Sequence, residues 1–442
     1  MLNPTSTSLI FLFLHLVSAV YSIGVNYGTL GNNLPSPAAV ANFLKTRTAI
    51  NGVKLFDVNP EYIQAFANTG ISVAVTAPNS DIVPLAEANF ARQWVVDKIK
   101  PFYPATKINF ILVGSEVLHW GDQKMFKKLV PAMRSLHSAL QAEGINDIKV
   151  TTAHSLIIMM AKSLPSAGQF RPGFAKHVLG PMLKFLRETK APFMVNPYPY
   201  FDLDPARLDF ALFRPNLGLY DRATRLTYTN QFDALIDTVH FAMKALGFAD
   251  VDIAIGETGW PTNCDNPVLC SVANAVSYNG GLVKHVESGK GTPMLPNRRF
   301  ETYIFALFNE NQKPGPTAER NWGLFQPDLT PIYDSGIFRN GQQVPVAPSV
   351  PVGGGGEQWC VPKAEATIQA LQSNIDYVCS QGVDCRPIQP GGACFVPNDP
   401  KALATYAMSA YYKAKGPIPI NCDFSGSGIL TTINPSHGGC RM

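Results

Sequence analysis

The sequence predicts an α/β protein in two parts, a (β/α)8 barrel followed by a small, disulfide-rich and mostly α-helical module. Three observations support this prediction. Eight short apolar runs alternate with stretches of helical periodicity, a Pro- and Gly-rich segment follows them, and six of the 8 cysteines lie beyond that segment. With 442 residues and a hydrophobic fraction of 46%, the chain can bury a large core and exceeds the usual size of one domain.

Eight apolar runs define the first part. They begin at Ile23, Gly52, Ile71, Ile108, Ile148, Phe193, Val251 and Glu301. Stretches with helical periodicity separate them, for example residues 122–143 and 231–247. Runs that are apolar on both faces are typical of a buried parallel sheet, and eight of them within roughly 320 residues favour a closed barrel over a doubly wound sheet. Residues 201–230 are expected to form an additional looped subdomain.

The domain boundaries follow from composition. Residues 9–20 form an apolar stretch that is too short to span a bilayer and is followed by small residues, so residues 1–22 are predicted to be a cleaved signal peptide of a secreted, extracellular protein. A retained amphipathic anchor is the alternative, but the stretch has no polar face. Residues 341–358 combine Pro/Val alternation with a run of glycines and predict a linker. The barrel is therefore predicted over 23–340 and the C-terminal module over 359–442.

Charge and hydropathy argue against several kinds of partner. The formal net charge of +4 is small for this length and is not gathered into Lys/Arg runs, so nucleic acid is not expected as a partner. No later apolar run is long enough for a membrane span, and the C-terminal SHGGCRM carries no hydrophobic tail of the kind that signals a lipid anchor. We expect a monomer that needs no cofactor.

The cysteines predict disulfide bonds. Six of them lie in the C-terminal module, namely Cys360, Cys379, Cys385, Cys394, Cys422 and Cys440. A segment this short and polar needs such bonds for stability in an oxidising compartment. Zinc binding is the alternative, but paired C-x2-C spacings are lacking and His437 is the single nearby histidine, so no metal is expected. Cys264 and Cys270 lie together in an upstream loop and are expected to form a local bridge.

Two glutamates stand at the ends of apolar runs. Glu116 ends the fourth run and Glu257 ends the seventh. In a (β/α)8 barrel the active site lies at the carboxyl ends of the strands, so both carboxyl groups are expected in one mouth. Glycoside hydrolysis requires such a pair, with one carboxyl group to protonate the leaving oxygen and a second to attack the anomeric carbon. The alternative is that each glutamate forms an ordinary ion pair with Arg or Lys.

Several motifs resemble a known family. IGVNYG, VGSEV, NPYPYF, GETGWPT, ETYIFALFNENQK and ERNWGLF occur in this order and resemble the plant endo-1,3-β-glucanases of glycoside hydrolase family 17. In the C-terminal module, WCV, IDYVC, GGACFVPND, YAMSAYY and CDFSGSG are similar to carbohydrate-binding module family 43, which binds β-1,3-glucan. The resemblance implies a secreted, retaining hydrolase of callose-like or laminarin-like β-1,3-glucan in the plant cell wall or in plant defence.

The resemblance also implies roles for individual residues. Glu257 matches the nucleophile and Glu116 matches the general acid and base. The resemblance places the family's charged group near the cleft at Glu310, Lys313 and Glu319. It places two aromatic residues of the cleft at Tyr27 and Tyr198. Ordinary barrel packing is the alternative for both tyrosines. In the C-terminal module the resemblance implies the pairs Cys360–Cys422, Cys379–Cys385 and Cys394–Cys440. We also predict a helix over residues 402–415 of this module.

One position departs from the family. Ser115 stands immediately before the acid, where the family usually has an Asn whose amide donates to the 2-hydroxyl of the sugar. Loss of such a contact can lower the rate by about 10²- to 10³-fold. A second hypothesis is therefore a β-1,3-glucan-binding wall protein whose hydrolase barrel is slow or inactive.

Overall fold

The computed structural model describes residues 23–161, 164–201, 203–266, 268–339, 359–363, 366–415, 419–424, 427–431 and 433–442. The predicted signal peptide (1–22) and the predicted linker (341–358) lie outside the described residues. The described residues fall into two compact units, 23–339 and 359–442 with the gaps given above. Each unit is described by itself below.

Eight parallel strands close the barrel of the first unit. The barrel strands are β1 Ile23–Tyr27, β2 Gly52–Leu55, β3 Ser72–Ala77, β4 Lys107–Ser115, β5 Lys149–Ser155, β6 Phe193–Asn196, β9 Ile253–Thr258 and β10 Thr302–Ile304. They pair in chain order, and β10 closes the ring against β1. Two further strands, β7 Leu219–Asp221 and β8 Leu226–Tyr228, form a separate antiparallel pair within the looped segment 201–230. The predicted barrel is confirmed.

The eighth predicted run is only partly a strand. β10 ends at Ile304, whereas the apolar run continues to Phe308. Beyond the strand, the amide of Ala306 donates to the carbonyl of Trp322, and the amide of Leu307 donates to the carbonyl of Asn26. Beyond Ile304 the chain therefore bonds both to the end of β1, through Asn26, and to the loop that carries Trp322.

The helices of the first unit surround the barrel. The α-helices are Pro37–Arg47, Pro60–Ala65, Ile82–Leu85, Ala88–Lys98, Val117–Trp120, Gln123–Ala142, Pro172–Phe174, Gly180–Thr189, Leu208–Ala211, Gln231–Ala245 and Val272–Ser288. Short 3₁₀ turns cover Asn79–Asp81, Leu156–Ile158, Pro165–Ala167, Pro205–Arg207 and Thr317–Arg320, and a π-helical turn covers Ala175–Leu179.

The helix Gln123–Ala142 illustrates how sequence sets these elements. Its N-cap is Asp122, whose carboxylate accepts from the amide of Met125 at 2.8 Å. The buried side chains Leu129, Met133, Leu136 and Leu140 recur every three or four residues, which places them on one face toward the barrel. The helix therefore has a sequence-encoded start and a single apolar face.

The barrel interior is filled by an apolar layer below a polar one. Ala74, Phe110, Leu112, Ala153, Met194, Ala254 and Tyr303 form the apolar cluster. Their neighbours along the strands, such as Val73 and Val75, belong to the larger core shared with the helices, as strand alternation requires. At the carboxyl ends of the strands the buried side chains are polar instead, including Asn26, Lys54 and Asn196. This change of chemistry marks the functional end of the barrel.

The second unit is a small module with three disulfide bonds. It contains β11 Trp359–Pro362 and β12 Gly428–Thr431, which pair antiparallel, the helices Ile368–Ser380 and Pro400–Lys415, and the 3₁₀ turns Arg386–Ile388 and Pro419–Cys422. The bonded pairs are Cys360–Cys422, Cys379–Cys385 and Cys394–Cys440. The second helix spans the predicted stretch 402–415. Across both units, none of the helices in the described ranges is long and apolar enough to cross a bilayer.

Candidate active site

A cavity of about 1170 Å³ opens at the carboxyl ends of the barrel strands. Both predicted glutamates, Glu116 and Glu257, line it. Ser115, Tyr198, Lys313 and Glu319 line it too. The prediction that two carboxyl groups meet in one mouth is therefore matched by the geometry of the described residues.

Glu116 sits at a strained turn at the end of β4. Its φ of 49° is left-handed, which is unusual for a residue other than glycine and is typical of functional sites. Asn79 braces the preceding residue, since its side chain accepts from the Ser115 amide at 2.9 Å and donates to the Ser115 carbonyl at 3.1 Å. Glu116 then caps the short helix Val117–Trp120. The turn aims its carboxyl group into the cavity.

The Glu116 carboxyl group has its own hydrogen-bond partners. Oε1 accepts from Nδ2 of Asn196 at 2.8 Å, and Oε2 accepts from the indole nitrogen of Trp120 at 3.1 Å. Burial and the negative charge of Glu257 raise the pKa of Glu116, and the contacts with Asn196, Trp120 and His119 oppose that rise. A carboxyl group with a raised pKa retains its proton to higher pH, as a proton donor requires.

Glu257 is held by a different pair of donors. Its Oε1 accepts from Nζ of Lys54 at 2.9 Å, and its Oε2 accepts from the hydroxyl of Tyr198 at 3.0 Å. Both oxygens are thus oriented, and the negative charge is paired with a buried cation. A buried carboxylate of this kind is stable only when its charge is compensated in this way.

Lys54 was missed by the sequence analysis. It is completely buried on β2, its Nζ also donates to Oδ1 of Asn26 at 3.0 Å, and it lies 3.9 Å from the centre of the Phe56 ring. The signal that identified Glu116 could have found it, because Lys54 is likewise a charged residue in a buried apolar run. Asn26 and Asn196 lie within motifs that were quoted for the resemblance, but no role was assigned to them.

The two predicted aromatic residues occupy different places. Tyr198 lines the cavity, and burial raises its pKa well above the usual range of tyrosine. Tyr27 is completely buried and packs edge-on against Tyr62 and Phe308 at 5.1 and 5.9 Å between ring centres. The structure does not bring Tyr27 to the cavity surface, so its ring serves packing, which was the alternative reading.

Of the three predicted charged residues, two line the cavity and one does not. Lys313 and Glu319 line the cavity and form an ion pair at 2.9 Å, with Nζ of Lys313 lying 4.3 Å from the centre of the Phe305 ring. Glu310 does not line the cavity, and its Oε1 accepts from the amide of Leu30 at 2.9 Å. Gly28 makes room for it, since a Cβ there would lie 2.3 Å from the Glu310 carboxyl carbon. Glu310 therefore ties two loops together.

An aromatic wall stands beside Glu257. Phe305 and Trp322 pack against Tyr198 with ring centres 6.2 and 5.5 Å apart, and Phe56 packs against the same cluster. All four side chains line the cavity. Phe305 and Trp322 lie in motifs that resemble the family, but no role was predicted for these two residues or for Phe56. The faces of such rings suit the apolar side of a sugar ring.

The loop after β9 carries a disulfide bond between Cys264 and Cys270. Between them, the carbonyl of Leu269 accepts from the indole nitrogen of Trp260 at 2.8 Å. Trp260 is completely buried, so this hydrogen bond ties the loop to the barrel. In the part of the chain that the structure describes, no cluster of three or more acidic, histidine or cysteine side chains is placed to hold a metal ion.

Known proteins are similar to this chain over both units. The family model for glycosyl hydrolases family 17 matches residues 23–336, and that for the X8 domain matches residues 358–429. A glucan endo-1,3-beta-glucosidase of Triticum aestivum is 50% identical, with 95% of this chain and 94% of that protein covered. A glucan endo-1,3-beta-D-glucosidase of Olea europaea is 44% identical, with 100% and 98% covered. The structure of a beta-1,3-glucanase and allergen of Cryptomeria japonica pollen is 42% identical, with a TM-score of 0.67 and 71% and 98% of the two chains covered.

Proposed function

The chain belongs to glycosyl hydrolases family 17, and from this premise we propose that it is a secreted endo-hydrolase that cleaves internal β-1,3-glucosidic bonds with retention of configuration. The observation that best supports this proposal is that Glu116 and Glu257 line one cavity and that each has its own set of hydrogen-bond donors. Two carboxyl groups in distinct environments take distinct roles. The names of the similar proteins support β-1,3-glucan as the substrate.

The first step is attack by Glu257 on the anomeric carbon. Lys54 and Tyr198 donate to the two oxygens of its carboxylate and orient it. At the same time Glu116 gives its proton to the glycosidic oxygen, so the leaving sugar departs as a neutral alcohol. This step breaks the glycosidic bond and forms a glycosyl ester with Glu257.

The second step releases the sugar. Glu116, now ionised, removes a proton from water, and the resulting oxygen attacks the anomeric carbon and expels Glu257 as a carboxylate. Two inversions at one carbon give net retention. Asn196 and Trp120 stay within hydrogen-bond distance of Glu116, so the ionised form that this step requires is stabilised by two donors.

The C-terminal module is proposed to bind the same polymer and to keep the barrel close to it. Similarity to the X8 domain supports this role. A binding module raises the local concentration of the enzyme at an insoluble substrate by making cleavage effectively intramolecular. Secretion into the cell wall is supported by the four disulfide bonds, which persist in oxidising compartments.

The test is the anomeric configuration of fresh products. Purified full-length protein is incubated with a linear β-1,3-gluco-oligosaccharide, and the products are followed by NMR before mutarotation. Initial formation of the β-anomer, lost in Glu257→Gln, is the expected result. Initial formation of the α-anomer would contradict retention, and lack of any cleavage would contradict the hydrolase assignment.

A second function is favoured by one observation. Ser115 lines the cavity next to Glu116, where the family usually has Asn. The chain would then be mainly a glucan-binding protein of the cell wall with a slow barrel. Release of reducing ends from laminarin, compared with retention on insoluble β-1,3-glucan, separates the two functions. Retention without release would favour the binding protein.

A further inference from the structure

Trp120 is a large aromatic residue that remains exposed on the cavity wall. Its relative exposure is 71%, whereas Tyr198 and Trp322 in the same cavity are exposed by 9% and 2%. Ile157, exposed by 38%, adds apolar surface to the same cavity. Exposed apolar surface beside polar groups in a cleft is typical of a binding site.

The indole ring of Trp120 is held in place from two directions. Its nitrogen donates to Oε2 of Glu116 at 3.1 Å, and its ring stacks on the imidazole of His119 with centres 4.0 Å apart and planes 14° apart. Nδ1 of His119 lies 3.1 Å from Oγ of Ser155 on β5, which fixes the imidazole in turn. A side chain that is already ordered loses little entropy when a ligand binds. His119 covers one face of the indole, so the exposure belongs to the opposite face.

The strand order shows which side of the scissile bond this ring occupies. Around the barrel, β6 and β5 lie between β9, which carries Glu257, and β4, which Glu116 directly follows. Trp120 follows β4, so it belongs to the wall on the Glu116 side. During cleavage the anomeric carbon lies at the nucleophile and the glycosidic oxygen lies at the acid. The leaving sugar is bonded to that oxygen, so it extends toward the wall that carries Trp120.

We propose that the exposed face of Trp120 is a stacking platform for the glucosyl residue on the leaving-group side of the cleaved bond. The axial C–H groups of a β-glucopyranose form an apolar face that fits an aromatic ring. This inference rests on the proposed function and adds the residue that selects for a sugar as leaving group. The same indole contacts the acid through its N–H and the sugar through its face, so it sets the position of the glycosidic oxygen relative to Glu116.

Kinetics with two leaving groups test the platform. In the full-length protein, Trp120→Ala should lower kcat/KM on a linear β-1,3-glucan hexasaccharide by about tenfold or more and move the preferred cleavage position. On an aryl β-laminaribioside with a good leaving group, which needs neither the platform nor much protonation, the same variant should lose far less. Trp120→Phe keeps a ring face and should recover much of the loss. Tyr220→Ala is the matched control, because Tyr220 is exposed by 58% and does not line the cavity.

A local readout keeps this test independent of turnover. In the Glu257→Gln variant, Trp120 is oxidised mildly with N-bromosuccinimide, and its peptide is quantified by mass spectrometry with and without the hexasaccharide. Protection of Trp120 by the sugar is expected, and it would stand even if the wild type cleaved nothing, which would contradict the proposed function alone. Equal oxidation with and without sugar, or an equal loss on both substrates in Trp120→Ala, would overturn the platform.

Discussion

Nζ of Lys54 lies 2.9 Å from Oε1 of Glu257, and the lysine side chain is completely buried. The two residues are 203 positions apart in the chain. A buried ion pair is a weak source of net stability, but removal of one partner leaves an uncompensated charge. The lysine is therefore coupled to the proposed nucleophile in both stability and function.

Replacing this lysine tests the coupling. Lys54→Met should reduce the free energy of unfolding by about 3–5 kcal/mol, because the Glu257 carboxylate loses its cation in a buried site. Urea denaturation at neutral pH measures the loss. The double variant Lys54→Met/Glu257→Gln is the control, since the neutral amide no longer needs a cation. A double variant as unstable as the sum of the single ones would contradict the coupling.

The two glutamates should respond differently to replacement by glutamine. Glu257→Gln should reduce kcat on laminarin by about 10⁴-fold or more, since the nucleophile is lost. Glu116→Gln should lose about 10²- to 10⁴-fold on laminarin but much less on aryl glycosides whose leaving groups need little protonation. Steady-state kinetics on both substrates measure this. Wild-type activity in Glu257→Gln would refute the mechanism.

The pH profile should report the environment of Glu116. Burial and the charge of Glu257 raise its pKa, while the hydrogen bond from Asn196 lowers it. Asn196→Ala removes a donor to the ionised form, so the pKa should rise further. Because cleavage needs the protonated acid, the fall of kcat/KM on the alkaline side should move to higher pH. Asn311→Ala, at an exposed site, should leave the profile unchanged, and a shift to lower pH in Asn196→Ala would contradict the assignment.

Ser115 offers a gain-of-function test. If a missing contact with the sugar 2-hydroxyl limits the rate, Ser115→Asn should raise kcat/KM on laminarin by up to about 10²-fold. Ser115→Ala is the control and should change the rate little, since the amide group is absent in both residues. An unchanged or lower rate in Ser115→Asn would refute the explanation for weak activity without touching the mechanism.

The disulfide bonds of the C-terminal module should differ in strength. Cys360 and Cys422 are 62 positions apart, whereas Cys379 and Cys385 are 6 apart. Loop-closure entropy makes the longer bridge more stabilising by about 2 kcal/mol. Hydrogen exchange of the helix Pro400–Lys415 in the full-length protein, with each pair replaced by alanine, measures the difference. A larger loss from the shorter bridge would contradict this account.

Much of the fold was predictable because its signals are local. Each barrel strand is a short apolar run, and helix starts carry capping residues such as Asp122 and Asn230. Strand ends gather at one rim in any parallel barrel, so Glu116 and Glu257 could be brought together without knowledge of their contacts. Spacing along the chain was sufficient for these conclusions.

The contacts between distant residues depended on the tertiary structure. Tyr27 ends β1 and Tyr198 lies just beyond β6, yet the Tyr27 ring packs inside the core, whereas the Tyr198 hydroxyl donates to Glu257. Glu310 accepts from the amide of Leu30, 280 positions away, and does not line the cavity, whereas Lys313 and Glu319 do. Sequence by itself determined which residues reach the rim of the barrel, because alternation and run length are properties of neighbours. Only the closed barrel decided which side chains face one another there, because side-chain direction at a strand end depends on register, twist and the loops that pack above it.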